Sequence, residues 1–77
     1  MVEMDLRMLR CPEPLLRVKL WLREAQGERE LLLWLGDPGS RRDIPHYLTR
    51  LGHRCVTREA CASHLLLWVQ LCHKESL

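Results

Sequence analysis

The stretch Met8-Leu9-Arg10-Cys11-Pro12-Glu13-Pro14 decides how this chain is read. Proline fits the first position of a helix, because the amide it lacks would have had no partner there. Pro14 falls in the same first turn, where the argument still holds. A helix therefore starts just after Cys11. Before the stretch, Val2, Met4 and Leu6 alternate with Glu3, Asp5 and Arg7, which predicts a short strand with one buried face. After it, Leu15, Val18, Leu22 and Ala25 recur at helical spacing, with Trp21 at the edge of the stripe. This helix is expected to run to about Gln26 and to stop at Gly27.

Working towards the C-terminus, residues 30–35 form an apolar run after a Gly-Glu turn and predict a second strand. Gly36-Asp37-Pro38-Gly39-Ser40 has the residue types of a loop. A second helix follows, with Ile44, Leu48 and Leu51 as its buried stripe and Gly52 as its end. Either Ser40 and Asp43 form a capping box, or Asp43 is itself the cap and Pro45 lies in the first turn. Pro45 favours the second choice, since deeper in a helix it removes a hydrogen bond. Residues 53–58 and 64–71 read as two more strands, joined by a hairpin at 59–63. The order βαβαββ predicts an α/β (α+β) two-layer sandwich, a four-stranded mixed sheet with two helices on one face. Residues 1–77 are read as a single domain.

Composition narrows the function. A net charge of +2 is too mild to argue for nucleic acid, and 77 residues leave little room for a deep active site. A surface site on a loop or helix end is expected instead. The opening residues carry neither a basic stretch nor an apolar one, and the longest apolar runs, 31–35 and 65–69, are too short to cross a bilayer. The reading is a cytoplasmic protein with reduced thiols and no membrane contact. Cys55, Cys61 and Cys72 stand near His53, His64 and His73, but no paired Cys-x-x-Cys knuckle is present, and a hairpin is expected to point these side chains in mixed directions. No metal site and no catalytic histidine are expected. Cys55 and Cys72 read as small buried thiols, and Cys61 as a turn residue.

Two motifs carry a resemblance. Leu9-Arg10-Cys11-Pro12-Glu13-Pro14, at a strand-to-helix junction, and Asp37-Pro38-Gly39-Ser40-Arg41-Arg42-Asp43-Ile44-Pro45, followed by Gly52-His53, together resemble the TusA/SirA family of small sulfur carriers. The likeness covers nearly the whole chain. It implies the βαβαββ sandwich and a role in passing sulfane sulfur between proteins, as a persulfide on Cys11, with no other cofactor. It also implies a cysteine desulfurase or rhodanese-like donor and a downstream acceptor protein, in tRNA thiolation, molybdenum-cofactor assembly or sulfur oxidation. Met8 stands where the family usually has glycine, so the loop is expected to differ in shape or Met8 to cover the thiol.

The chemistry suits these residues. Sulfur transfer is attack of a thiolate on a sulfane sulfur. A helix N-terminus and the neighbouring Arg10 favour the anion, and Glu13 opposes it. Pro12 and Pro14 remove two amide donors from that turn, yet they stiffen it and fix where the sulfur points. If the first two strands are parallel neighbours, the second motif comes to the same sheet edge as Cys11. Asp37, Arg41, Arg42 and Asp43 are then candidates to contact a persulfide or a partner. The plainer alternatives are helix capping for the aspartates, favoured for Asp43, and solvated charge for the arginines.

A further expectation concerns the sheet. Residues 31–35 and 65–69 are apolar without interruption, so the face away from the helices is apolar too. That face, with Trp34 or Trp68, is expected to be buried in a homodimer or against a partner. Leu16 and Leu20 add a second stripe on the first helix. Two rival readings are a binding module that uses this sheet face, with Cys11 structural, and an RNA-binding domain using Arg41, Arg42, Arg50 and Arg54. The mild charge and the lack of a stacking motif weigh against RNA.

Overall fold

The computed structural model of the protein describes residues 1–25 and 27–72. Its elements are β1 (Val2–Asp5), α1 (Glu13–Glu24), β2 (Glu30–Leu35), α2 (Pro38–Arg50), β3 (Arg54–Ala60) and β4 (Leu65–Gln70). They form a four-stranded sheet in the order β1-β2-β4-β3, with β1 parallel to β2 and the other pairs antiparallel. This is the mixed-sheet sandwich that the order of elements predicts.

Burial alternates strictly along β2 and β4 although both are apolar throughout. Leu31, Leu33 and Leu35 face Leu65, Leu67 and Val69 across the ladder, and all six join Val18, Ile44 and Leu48 in the core. Each fully buried leucine contributes about 2 kcal/mol of transfer free energy. The alternate residues Leu32, Trp34, Leu66 and Trp68 are half-buried on the open face. That face is not bare. Arg7, paired with Asp5 at 2.7 Å, lies over the Trp34 ring at 4.7 Å, and Trp34 Nε1 donates to Glu3 at 2.7 Å. Hydrogen bonds from Arg7 hold the Asp5 carboxyl at a pKa of about 2. Arg58 lies over Trp68 at 5.0 Å.

Both helices depart from expectation at one end. The first ends at Glu24, because Ala25 is already extended (φ −68°, ψ 129°). The expected run to Gln26 falls outside the described residues. Pro14 and Val18 are its buried residues, and Leu16 and Leu20 are exposed as the second stripe suggests. The second helix starts earlier than Ser40 or Asp43 would place it. Its cap is Asp37, whose Oδ2 accepts from the Ser40 amide at 3.1 Å, and Pro38 fills the first helical position. The expected first-turn proline, Pro45, is not there; Pro38, read from sequence as part of a loop, takes that place. Pro45 therefore lies inside the helix and withholds an amide from the carbonyl four residues back. Gly52, at φ +95°, ends α2 as predicted. Its amide donates to Thr49 O and that of His53 to Leu48 O, both at 3.0 Å, which is the paired closure of a helix by a left-handed residue.

The last hairpin also shifts. Its connection is 61–64 rather than 59–63, closed by the Cys61 amide donating to His64 O at 2.9 Å. Thr57 pairs with Leu67 and Glu59 with Leu66, so Arg58 is an extra residue, a bulge in β3.

The loops that follow β1 and β2 touch at Gly36. A Cβ there would sit 2.9 Å from the Arg7 carbonyl oxygen. Gly36→Ala is expected to cost about 1–3 kcal/mol, read as a lower urea midpoint with unchanged slope. An unchanged midpoint would show that the loops part without cost.

Candidate functional site

Cys11 is exposed in the turn that leads into α1. The Glu13 amide donates to Arg10 O at 2.8 Å and the Leu16 amide to Pro12 O at 3.1 Å, so the chain folds tightly around the thiol. Because β1 and β2 are parallel neighbours, the loop after β2 arrives at the same end of the sheet. Its Gly39 is the meeting point. A Cβ on Gly39 would lie 3.5 Å from Cys11 Cβ and 3.6 Å from Cys11 Sγ. The thiol that leads into α1 therefore lies beside the first turn of α2.

The other site candidates divide. Arg10, Pro12 and Glu13 are exposed around the thiol and Pro14 is buried beneath it. Met8 is 92% exposed, so it does not cover the sulfur. Asp37 is spent on capping α2, taking both the amide and the hydroxyl of buried Ser40. Arg10, Gly36 and Asp37 share a shallow groove between the two loops. Arg41 turns away to the last hairpin, donating to Cys61 O at 2.8 Å and Ala62 O at 3.4 Å. Arg42 is almost wholly exposed and bonds its neighbour Asp43 at 3.2 Å. The second motif thus reaches Cys11 through Gly39, with its charged side chains directed elsewhere.

Comparison with known proteins agrees with this arrangement. The family model described as Sulfurtransferase TusA matches residues 2–70, which span both motifs. The chain belongs to the TusA family. A relative, the Sulfur carrier protein TusA of Buchnera aphidicola subsp. Baizongia pistaciae (strain Bp), is 34% identical over 71 residues, covering 92% of this chain and 90% of that protein. Among the described residues, no helix is long and apolar enough to cross a membrane.

The remaining cysteines differ from one another. Cys55 is half-buried, and its thiol lies 4.0 Å from Pro45 O. Burial pushes its pKa up, with a hydrogen bond to Thr49 partly offsetting the rise. Cys72 is exposed, contrary to the buried thiol expected from sequence, because β4 ends at Gln70 and the chain has left the sheet. Cys61 is exposed but far from isolated. Its Sγ lies 3.2 Å from Ser63 Oγ and 3.5 Å from His64 Nδ1, and His64 Nε2 lies 2.7 Å from Glu59 Oε1. The donor atoms of Glu59, Cys61 and His64 all lie within 4.8 Å of one another. Of the cysteines and histidines expected to point in mixed directions, Cys61 and His64 share the open face with Glu59, while Cys55 points towards α2. Sequence reasoning missed the cluster, although residues flanking a two-residue turn, here Cys61 and His64, do pair across it.

Hydrogen bonds from the Ser63 side chain, and then from the His64 and Ser63 amides, lower the Cys61 pKa. Thiolate is the form present above the pKa, so on a rising pH ramp Cys61 is expected to react with iodoacetamide before Cys55. Peptide mass mapping checks the order, and Cys55 labelling first would contradict it.

Proposed function

We propose that the protein carries sulfane sulfur as a persulfide on Cys11 and relays it between a donor and an acceptor protein. The observation that supports this best is the Cys11–Gly39 contact. An exposed thiol at the head of one helix lies beside Gly39 in the first turn of another, a position that carries no side chain to cover it. Membership of the TusA family, with both motifs meeting at the thiol, supports the same reading.

The step is an exchange without net oxidation. Cys11 thiolate attacks the outer sulfur of the donor's persulfide. A new S–S bond forms at Cys11, the donor's S–S bond breaks, and the donor leaves as a thiolate that takes a proton from water. Delivery runs the same reaction with an acceptor thiolate as attacker. Cys11 itself is the covalent carrier, so the transfer uses no further cofactor. The donor is a cysteine desulfurase or a rhodanese-like protein. The acceptor sets the pathway, whether tRNA thiolation, molybdenum-cofactor assembly or sulfur oxidation. Pro12 and Pro14 limit the motion of the turn, and Arg10 offers a cation beside the site. A cytoplasmic setting, where thiols stay reduced, suits this chemistry.

The open sheet face is a weaker place for a homodimer than its sequence suggests. Docking a second copy there would displace Arg7 from Trp34 and Arg58 from Trp68.

Incubation with a cysteine desulfurase and cysteine is expected to add one sulfur to the peptide bearing Cys11, read by mass spectrometry. Cys11→Ala is expected to abolish delivery to an acceptor. Gly39→Val, which places methyl groups against the thiol, is expected to slow desulfurase-dependent loading at least about tenfold while the circular dichroism spectrum is kept. Failure of Cys11 to load from both desulfurase and rhodanese-like donors would overturn the proposal.

A further inference from the structure

The hairpin between β3 and β4 holds a second set of sulfur chemistry, away from Cys11. Its geometry follows from register. Residues paired across an antiparallel ladder point to the same face. Glu59 pairs with Leu66, which alternates with core residues Leu65 and Leu67 and so lies on the open face. Trp34 also pairs with Leu66, and its ring lies 5.2 Å from that of His64. Cys61 faces His64 across the turn. The extra residue Arg58 decides the matter: without the bulge, Glu59 would fall on the opposite face.

We infer that Cys61 is a second nucleophilic thiol, one that accepts sulfane sulfur from a persulfide with His64 as its proton acceptor. The choice of cargo rests on the sulfur-carrier reading above; the thiol's activation stands on its own geometry. Glu59 takes the Nε2 proton side of the imidazole at 2.7 Å, which leaves Nδ1 free to accept. Ser63 Oγ bridges, 3.1 Å from Nδ1 and 3.2 Å from Cys61 Sγ. The thiol proton passes through the Ser63 hydroxyl to Nδ1. Cys61 sulfur then attacks the outer sulfur of the donor persulfide, a new S–S bond forms, and the donor's S–S bond breaks. The departing thiolate takes the proton back from His64, so the sum is one sulfur moved and no electrons lost.

The surroundings hold this arrangement still. The His64 side chain is only 15% exposed. Arg41 reaches from α2 to the carbonyls of Cys61 and Ala62. The charged groups facing the thiol are thus Glu59 and His64 from the hairpin and Arg41 from α2, with the Arg7–Asp5 pair beyond Trp34.

The test uses the full chain with Cys11→Ala, Cys55→Ser and Cys72→Ser, which leaves Cys61 as its one thiol. It is exposed in one arm to glutathione persulfide and in the other to a desulfurase with cysteine. Gain of one sulfur on the Cys61 peptide in either arm is expected, and the arm identifies a small or a protein donor. His64→Gln and Ser63→Ala are each expected to slow the gain by about tenfold or more. Ser63 is exposed, so its variant keeps the test valid should His64→Gln fail to fold. Glu59→Gln is expected to move the pH profile of Cys61 alkylation upward, with Glu59→Asp restoring it. No gain in either arm, or gain unaffected by Ser63→Ala and His64→Gln, would overturn the inference. Cys11 loading in the wild type is read separately, so either thiol can fail without the other.

Discussion

The parallel pairing of β1 with β2 is the constraint on which the rest depends. Parallel neighbours send both chains out at the same end of the sheet, and each then enters a helix. Two loops are forced into one small space. Gly36 lets them approach where any side chain would strike the Arg7 carbonyl, and Gly39 leaves the side of Cys11 nearest α2 without a side chain. The thiol's position is therefore set by backbone packing between two loops, far more than by hydrogen bonds from charged side chains. The charged residues nearby have other duties, Asp37 as a cap and Arg41 as a tether.

The sheet shows how a uniformly apolar strand is used on two sides. On the inner side, leucines of β2 and β4 meet the helices and are fully removed from water. On the outer side, the same strands present tryptophans, and these are covered locally by arginines from β1's end and from the β3 bulge. Guanidinium groups stack on indole while keeping their hydration, so the face becomes less adhesive without losing its β-forming residues. Leu16 and Leu20 on α1, 57% and 52% exposed, form the more open apolar stripe.

Much of this was legible in the residues. Alternation in the first strand, proline at a helix start, an apolar run after a turn, and glycine at a helix end each have one local physical cause, and β1, the start of α1, β2 and Gly52 follow from them. The start of α2 was harder because two prolines compete. Pro45 looks like a first-turn residue until Pro38, with Asp37 before it, takes that place. Pro45 is then tolerated inside the helix by its tertiary setting, which local propensity does not record. The bulge at Arg58 was harder still. One added residue reverses which side chains meet, and neither Thr57, Arg58 nor Glu59 carries a glycine or proline to announce it.

Two kinds of thiol lie at one end of the sheet, where β2 leads towards α2 and β3 turns into β4. Cys11 is placed by main chain, with glycine opposite and prolines beside it. Cys61 is placed by side chains, with Ser63, His64 and Glu59 in sequence from the sulfur. A site made of backbone leaves access to a large partner and does little to move a proton. A site made of hydroxyl, imidazole and carboxylate moves a proton but fixes its own geometry closely. Arg41 joins the two, since it sits two residues after Gly39 and holds the carbonyl of Cys61.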